Sequence, residues 1–85
     1  MIDLDDSVIK KFDVRGNDCI DRITSIFTSF EELKSGEAFI FTNDHDPKPV
    51  YYKLKENFEE PFNWDYLKTE PGEWVIRVSK TGNTE

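Results

Sequence analysis

The chain has 85 residues, a net charge of −7 and a single cysteine, and its apolar residues include seven Phe, three Tyr and two Trp. That length holds one small domain, and an acidic chain with dispersed Lys and Arg lacks the basic clustering that nucleic acid or an anionic membrane surface requires. One cysteine excludes an internal disulfide, and no apolar run approaches the roughly 20 residues that span a bilayer.

The start, Met1-Ile2-Asp3-Leu4-Asp5-Asp6, is acidic where a signal peptide would be basic, so the expected location is the cytoplasm. Weak alternation from Ile9 to Val14 predicts a first strand with Phe12 and Val14 on one face, ended by Arg15-Gly16-Asn17-Asp18. Ile20, Ile23, Phe27 and Phe30, joined by Ile26 and Leu33, recur at helical spacing. They predict a helix over about 18–34, with Asp18 as N-cap and Gly36 at C′.

Ala38-Phe39-Ile40-Phe41-Thr42 is short, apolar on both alternating faces and free of breakers, which predicts an interior strand. Asn43-Asp44-His45-Asp46-Pro47-Lys48-Pro49 follows as a polar joint. Lys48 precedes a proline and is pushed away from the helical region, so the second helix is expected to start at Pro49. It should bury Val50, Tyr51, Leu54 and Phe58 and stop at Glu59-Glu60-Pro61. Two alternating runs, one through Phe62, Trp64 and Tyr66 and one through Trp74, Ile76 and Val78, flank Glu70-Pro71-Gly72. They predict a hairpin with a type II turn.

The order β-α-β-α-β-β predicts an α+β two-layer sandwich: a mixed four-stranded sheet with two helices on one face. Residues 1–85 form a single domain in this reading, its core at about 9–80 and its ends frayed. The carboxyl ends of the first two strands and both helix starts then share one edge, where such sheets usually bind ligands. Arg15, Asp18, Cys19, Asp44, His45 and Lys48 should lie along it.

His45 carries the one side chain here that ordinarily titrates near neutrality, which suits a proton carrier or a metal ligand. The competing reading is structural, with Asp44 or Asp46 capping the helix and His45 bonding loop backbone. A complete metal site needs three or four convergent ligands, which adjacent residues rarely supply. Pro47 and Pro49 have no N–H to offer a phosphate. No cofactor or metal is therefore expected. Cys19 would need an exposed, electropositive setting to react. Arg15 and Arg22 supply positive charge nearby, and Asp18 and Asp21 supply the opposite. No Ser/His/Asp or Cys/His pairing is evident from spacing, which makes an enzyme the less favoured reading.

Phe12-Asp13-Val14-Arg15-Gly16, the joint Asn43–Pro49 with Val50-Tyr51-Tyr52-Lys53-Leu54, then Trp64-Asp65-Tyr66-Leu67 and Pro71-Gly72-Glu73-Trp74, resemble one family over about residues 11–80. It is an uncharacterised small-domain family marked by DVR, NDHDPKP with a following Tyr pair, and PGEW. That family is similar in topology to the TusA/SirA sulfur carriers, and its members also occur attached to haemerythrin-like and other redox-associated domains. Sulfur carriers hold a reactive Cys in a Cys-Pro-x-Pro motif, three residues on from a Gly. Here Cys19 follows Gly16 at that interval, but Ile20 and Arg22 stand in place of the prolines.

The expectation is a non-enzymatic binding or accessory module, its polar edge formed by Arg15, Asp44, His45, Asp46 and Lys48. The resemblance implies a redox, metal- or sulfur-handling protein partner. The alternative is a TusA-like sulfur carrier bearing a persulfide on Cys19. The uncovered sheet face offers a surface to a partner or to a second copy.

Overall fold

The computed structural model describes residues 8–81. The frayed ends expected from the sequence fall on residues 1–7 and 82–85, outside the described residues. The elements are β1 (Val8–Asp13), α1 (Cys19–Glu32), β2 (Ala38–Asn43), α2 (Lys48–Asn57), β3 (Phe62–Glu70) and β4 (Glu73–Lys80). They form an α+β fold whose four-stranded mixed sheet has the order β1-β2-β4-β3. β1 and β2 are parallel, and both other pairings are antiparallel. Among the described residues no helix is long and apolar enough to cross a membrane.

β2 is central because it is apolar on both faces. Phe39 and Phe41 turn to the helices and are fully buried. Register places Phe41 beside Phe12 and Ile76, and Phe39 beside Val78, so one face collects the aromatic and branched side chains. Ile26 and Phe30 of α1, its C-cap Leu33, and Leu54 of α2 complete this core, with Val14 just beyond β1. Burying a side chain of this size contributes about 1.5–3 kcal/mol, so these few residues supply most of the cohesion of a small domain. Tyr51 docks α2 on β3, with ring centroids 5.7 Å from Phe62 and 5.4 Å from Trp64. Ile40 faces the other way, among Lys11, Arg77 and Asp65 along the register.

Local expectations and structure differ at four points. α2 begins at Lys48, one residue before Pro49. Pro47 is buried and its carbonyl accepts the N–H groups of Val50 and Tyr51, while Lys48 N–H bonds Asp46 Oδ1 at 3.1 Å. These bonds hold Lys48 helical against the pre-proline preference, and Pro49 sits where its missing N–H had no helical partner. Gly36 does not cap α1, which ends at Glu32 with Leu33 as C-cap. Its φ of +87° instead serves the turn into β2, where its N–H bonds the Lys80 carbonyl.

Ile20, placed on the buried stripe by spacing, is 75% exposed, because at about 100° per residue it lies on the margin of the face that buries Ile26 and Phe30. In β3 the alternation holds as far as Tyr66. A register shift between Tyr66 and Lys68 then leaves Leu67 unpaired and 52% exposed. The hairpin turn is as expected, with Gly72 at φ +81°.

Candidate functional site

At the carboxyl ends of β1 and β2 the two following loops run into helices, and a cleft of about 470 Å³ lies between them. Cys19, Arg22 and Ile23 from α1 line one side, and Pro47, Pro49, Val50 and Lys53 line the other. Asn17 and Asp18 from the first loop and Asn43 and His45 from the second complete it. The position of Cys19 follows from its cap: Asp18 accepts the Asp21 N–H at 2.9 Å, so Cys19 becomes the first residue of α1.

Arg22 organises the edge. Its Nε donates to the Asn17 carbonyl at 2.8 Å, and Nη1 donates to Asn43 Oδ1 at 2.8 Å and Asp44 Oδ1 at 3.0 Å. Nη2 donates to Asp44 Oδ2 at 3.2 Å, which makes the Asp44 pair bidentate. One side chain thus joins the β1–α1 loop, the end of β2 and the β2–α2 loop. Asn43, itself buried, passes the link on by donating its Nδ2 to the His45 carbonyl at 3.0 Å. Asp44 also meets His45 Nδ1. The Arg22 guanidinium first, and the His45 ring second, hold the Asp44 carboxyl at about 2, well below its ordinary 3.8.

The residues singled out from the sequence do not converge on one place. Cys19 and His45 line the cleft, and both are exposed. Asp44 stands behind it, engaged by Arg22. Asp46 accepts from Lys48 N–H and, at 3.0 Å, from the Tyr66 hydroxyl, fastening the start of α2 to β3. Lys48 lines the neighbouring grooves beside Tyr52 instead of the cleft. Arg15 bonds none of these and meets Asp44 only through charge. It bonds the Asp13 carboxylate through Nε and Nη2 and the Gly72 carbonyl through Nη1, beside the hairpin turn. Those bonds hold the Asp13 carboxyl below the usual carboxylate range.

The sequence assigned no site role to Ile23, Val50 or Lys53, held Asn43 only as part of the polar joint, and marked Arg22 only as charge near Cys19 and as a departure from the sulfur-carrier motif. A signal for Arg22 was present: it stands one helical turn after Cys19, on the face that looks toward the second loop. Among the described residues, no group of three or more His, Cys, Asp or Glu is placed to hold a metal ion.

Fold and edge together define a small α+β domain with a preformed cleft at the carboxyl ends of its parallel strands. Residues 11–80 match the family model described as uncharacterized conserved protein (DUF2249), and the chain belongs to that family. No curated protein matches the chain, and no solved structure does.

Proposed function

We propose that this chain is a non-enzymatic binding module that engages a protein partner at the carboxyl-end edge of its sheet, with the cleft as the receiving surface. One observation carries the reading: Arg22 rigidifies both loops from behind while Cys19, His45 and Lys53 are left exposed around apolar walls. Such an arrangement costs little ordering on binding. Among the described residues His45 Nδ1 pairs with Asp44 and no hydrogen bond joins His45 to Cys19, so a base-activated thiol is not assembled here. The kind of partner, a redox, metal- or sulfur-handling protein, rests on the resemblance to TusA/SirA-like carriers and on that analogy alone.

A photo-crosslinking residue at position 53 tests this against the same residue at position 11, on the uncovered sheet face. The partner should be captured from position 53, and His45→Ala should weaken that capture while the thermal midpoint stays put. Capture from position 11 alone would move the interface to the open face, where a homo-oligomer is the other proposal; solution mass would then decide between them.

A second reading has its own observation. Cys19 is exposed at the first residue of α1 and opens onto the cleft, as a sulfur carrier requires. Its thiolate would attack the terminal sulfur of a donor persulfide, forming a persulfide on Cys19 and releasing the donor thiol. Arg22, in place of the motif's second proline, makes bonds that a proline could not. Incubation with a cysteine desulfurase and cysteine should add one sulfur by intact mass, abolished in Cys19→Ser. An unloaded protein, under conditions that load a known carrier, removes this reading.

A further inference from the structure

We infer that α2 is the movable wall of the cleft, and that the hydrogen bond from the Tyr66 hydroxyl to Asp46 is its latch. The inference goes beyond partner binding and stands whether or not a protein enters the cleft.

The two walls are held unequally. α1 has 14 residues and a side-chain cap from Asp18, and it buries Ile26, Ser29 and Phe30, with Leu33 buried at its end. Side chains tie it further: Lys10 donates to Ser29 at 3.1 Å, and Lys80 to the Leu33 carbonyl at 2.9 Å. Arg22 adds its bonds to both loops. α2 has 10 residues, no side-chain cap, and Leu54 as its buried residue. Pro47 is buried just ahead of it, while Val50, Tyr51 and Phe58 are half-buried. Segments with fewer buried contacts open first. Off the sheet, a helix this short is marginal in water, so detaching α2 also exposes its amides.

Among the described residues, one hydrogen bond from the sheet reaches Asp46 and the helix after it. Tyr66 Oη donates to Asp46 Oδ1 at 3.0 Å. The same oxygen accepts the Lys48 N–H at 3.1 Å, so the bond bears directly on the first turn of α2. The Arg22 network ends at His45, one residue earlier. The latch therefore stands where the clamped loop gives way to the helix. Neither Tyr66 nor Asp46 lines the cleft, whereas Pro49, Val50 and Lys53 do. When the latch opens, the cleft loses its α2 wall and keeps its α1 wall and both loops. The balance between closed and open forms is thus set from outside the cleft.

Amide hydrogen exchange of the ¹⁵N-labelled protein tests this. In the unaltered chain, corrected for intrinsic rates, residues 51–54 should exchange about tenfold or more faster than residues 26–30 and 39–41. Tyr66→Phe deletes only the hydroxyl. It should speed exchange at 51–54 about threefold to tenfold and leave 26–30 and 39–41 unchanged, as the loss of one hydrogen bond allows. Asp46→Ala, which also removes the acceptor for the Lys48 N–H, should speed it further. Equal protection of the two helices in the unaltered chain would overturn the inference. So would an acceleration in Tyr66→Phe that spreads equally over α1 and β2, or no acceleration at all. A failed capture from position 53 would remove the partner reading and leave this one standing.

Discussion

Two charged networks sit at the same end of the sheet and differ in kind. On the cleft side, Arg22 is only 18% exposed and joins three separate stretches of chain. On the hairpin side, Arg15 and Asp13 are 40% and 47% exposed, and the pair is closed two residues apart in sequence. Lys68 and Glu73 repeat the second pattern, each 40% exposed across the turn. Short, exposed pairs are screened by water and hold mainly their own local shape. A half-buried arginine bonding two loops and a buried asparagine is different, because its removal leaves polar atoms without partners away from water. The contrast separates an edge built to keep a cleft open from one that trims a turn.

Substitutions can break or sharpen that contrast. The largest effect should come from beneath both networks: Phe41→Ala removes a fully buried ring at the centre of the core and should cost about 3–5 kcal/mol. That would leave much of so small a domain unfolded by circular dichroism. Arg22→Ala should cost about 1–3 kcal/mol in urea denaturation, since it strands the Asn43 Oδ1. It should also shift amides in both loops. Arg22→Lys should recover little, because an ammonium cannot make the bidentate pair with Asp44 while reaching Asn17. A loss no larger than that of Arg15→Ala would erase the distinction.

Acid titration gives a smaller, signed effect. Asp44 has a folded value of about 2 against an ordinary 3.8, so the unfolded chain binds its proton first as pH falls. Its contribution is therefore complete above about pH 4 and is lost as pH falls toward 2. Asp13 is lowered in the same direction, chiefly by its bond from Arg15. Asp44→Asn should flatten the acid limb of the stability curve more than Asp13→Asn does. The smallest change is expected from Arg15→Ala, with a urea midpoint close to that of the unaltered protein and a cleft whose amides do not move.

Much of the fold was legible from spacing. Phe12 and Val14, the stripe through Ile26 and Phe30, and the alternation of Phe62, Trp64 and Tyr66 each point to the buried face, and each does so within its own segment. Burial is non-directional, so a periodic pattern is enough to announce it. The misses lie where a segment meets something else. Ile20 lies at the margin of its helix's buried stripe and is exposed, and Lys48 is helical because Asp46 and Pro47 anchor its turn. Leu67 drops out of register where β3 bulges.

The site was legible only in outline. The edge could be named, since right-handed crossovers bring both helix starts to one end of the sheet. Cys19 and His45 do line a common cleft there. Arg15 and Arg22 could not be told apart by type or by nearness to Cys19, yet one turns to the hairpin and the other clamps the loops. Hydrogen bonds and ion pairs depend on direction and on distances of about 3 Å. Those are set between segments far apart in the chain, here Asn17, Arg22 and Asp44. Periodicity within each segment was sufficient to order the elements and choose their inner faces, whereas the partner of each charge was chosen when the helices came to rest on the sheet.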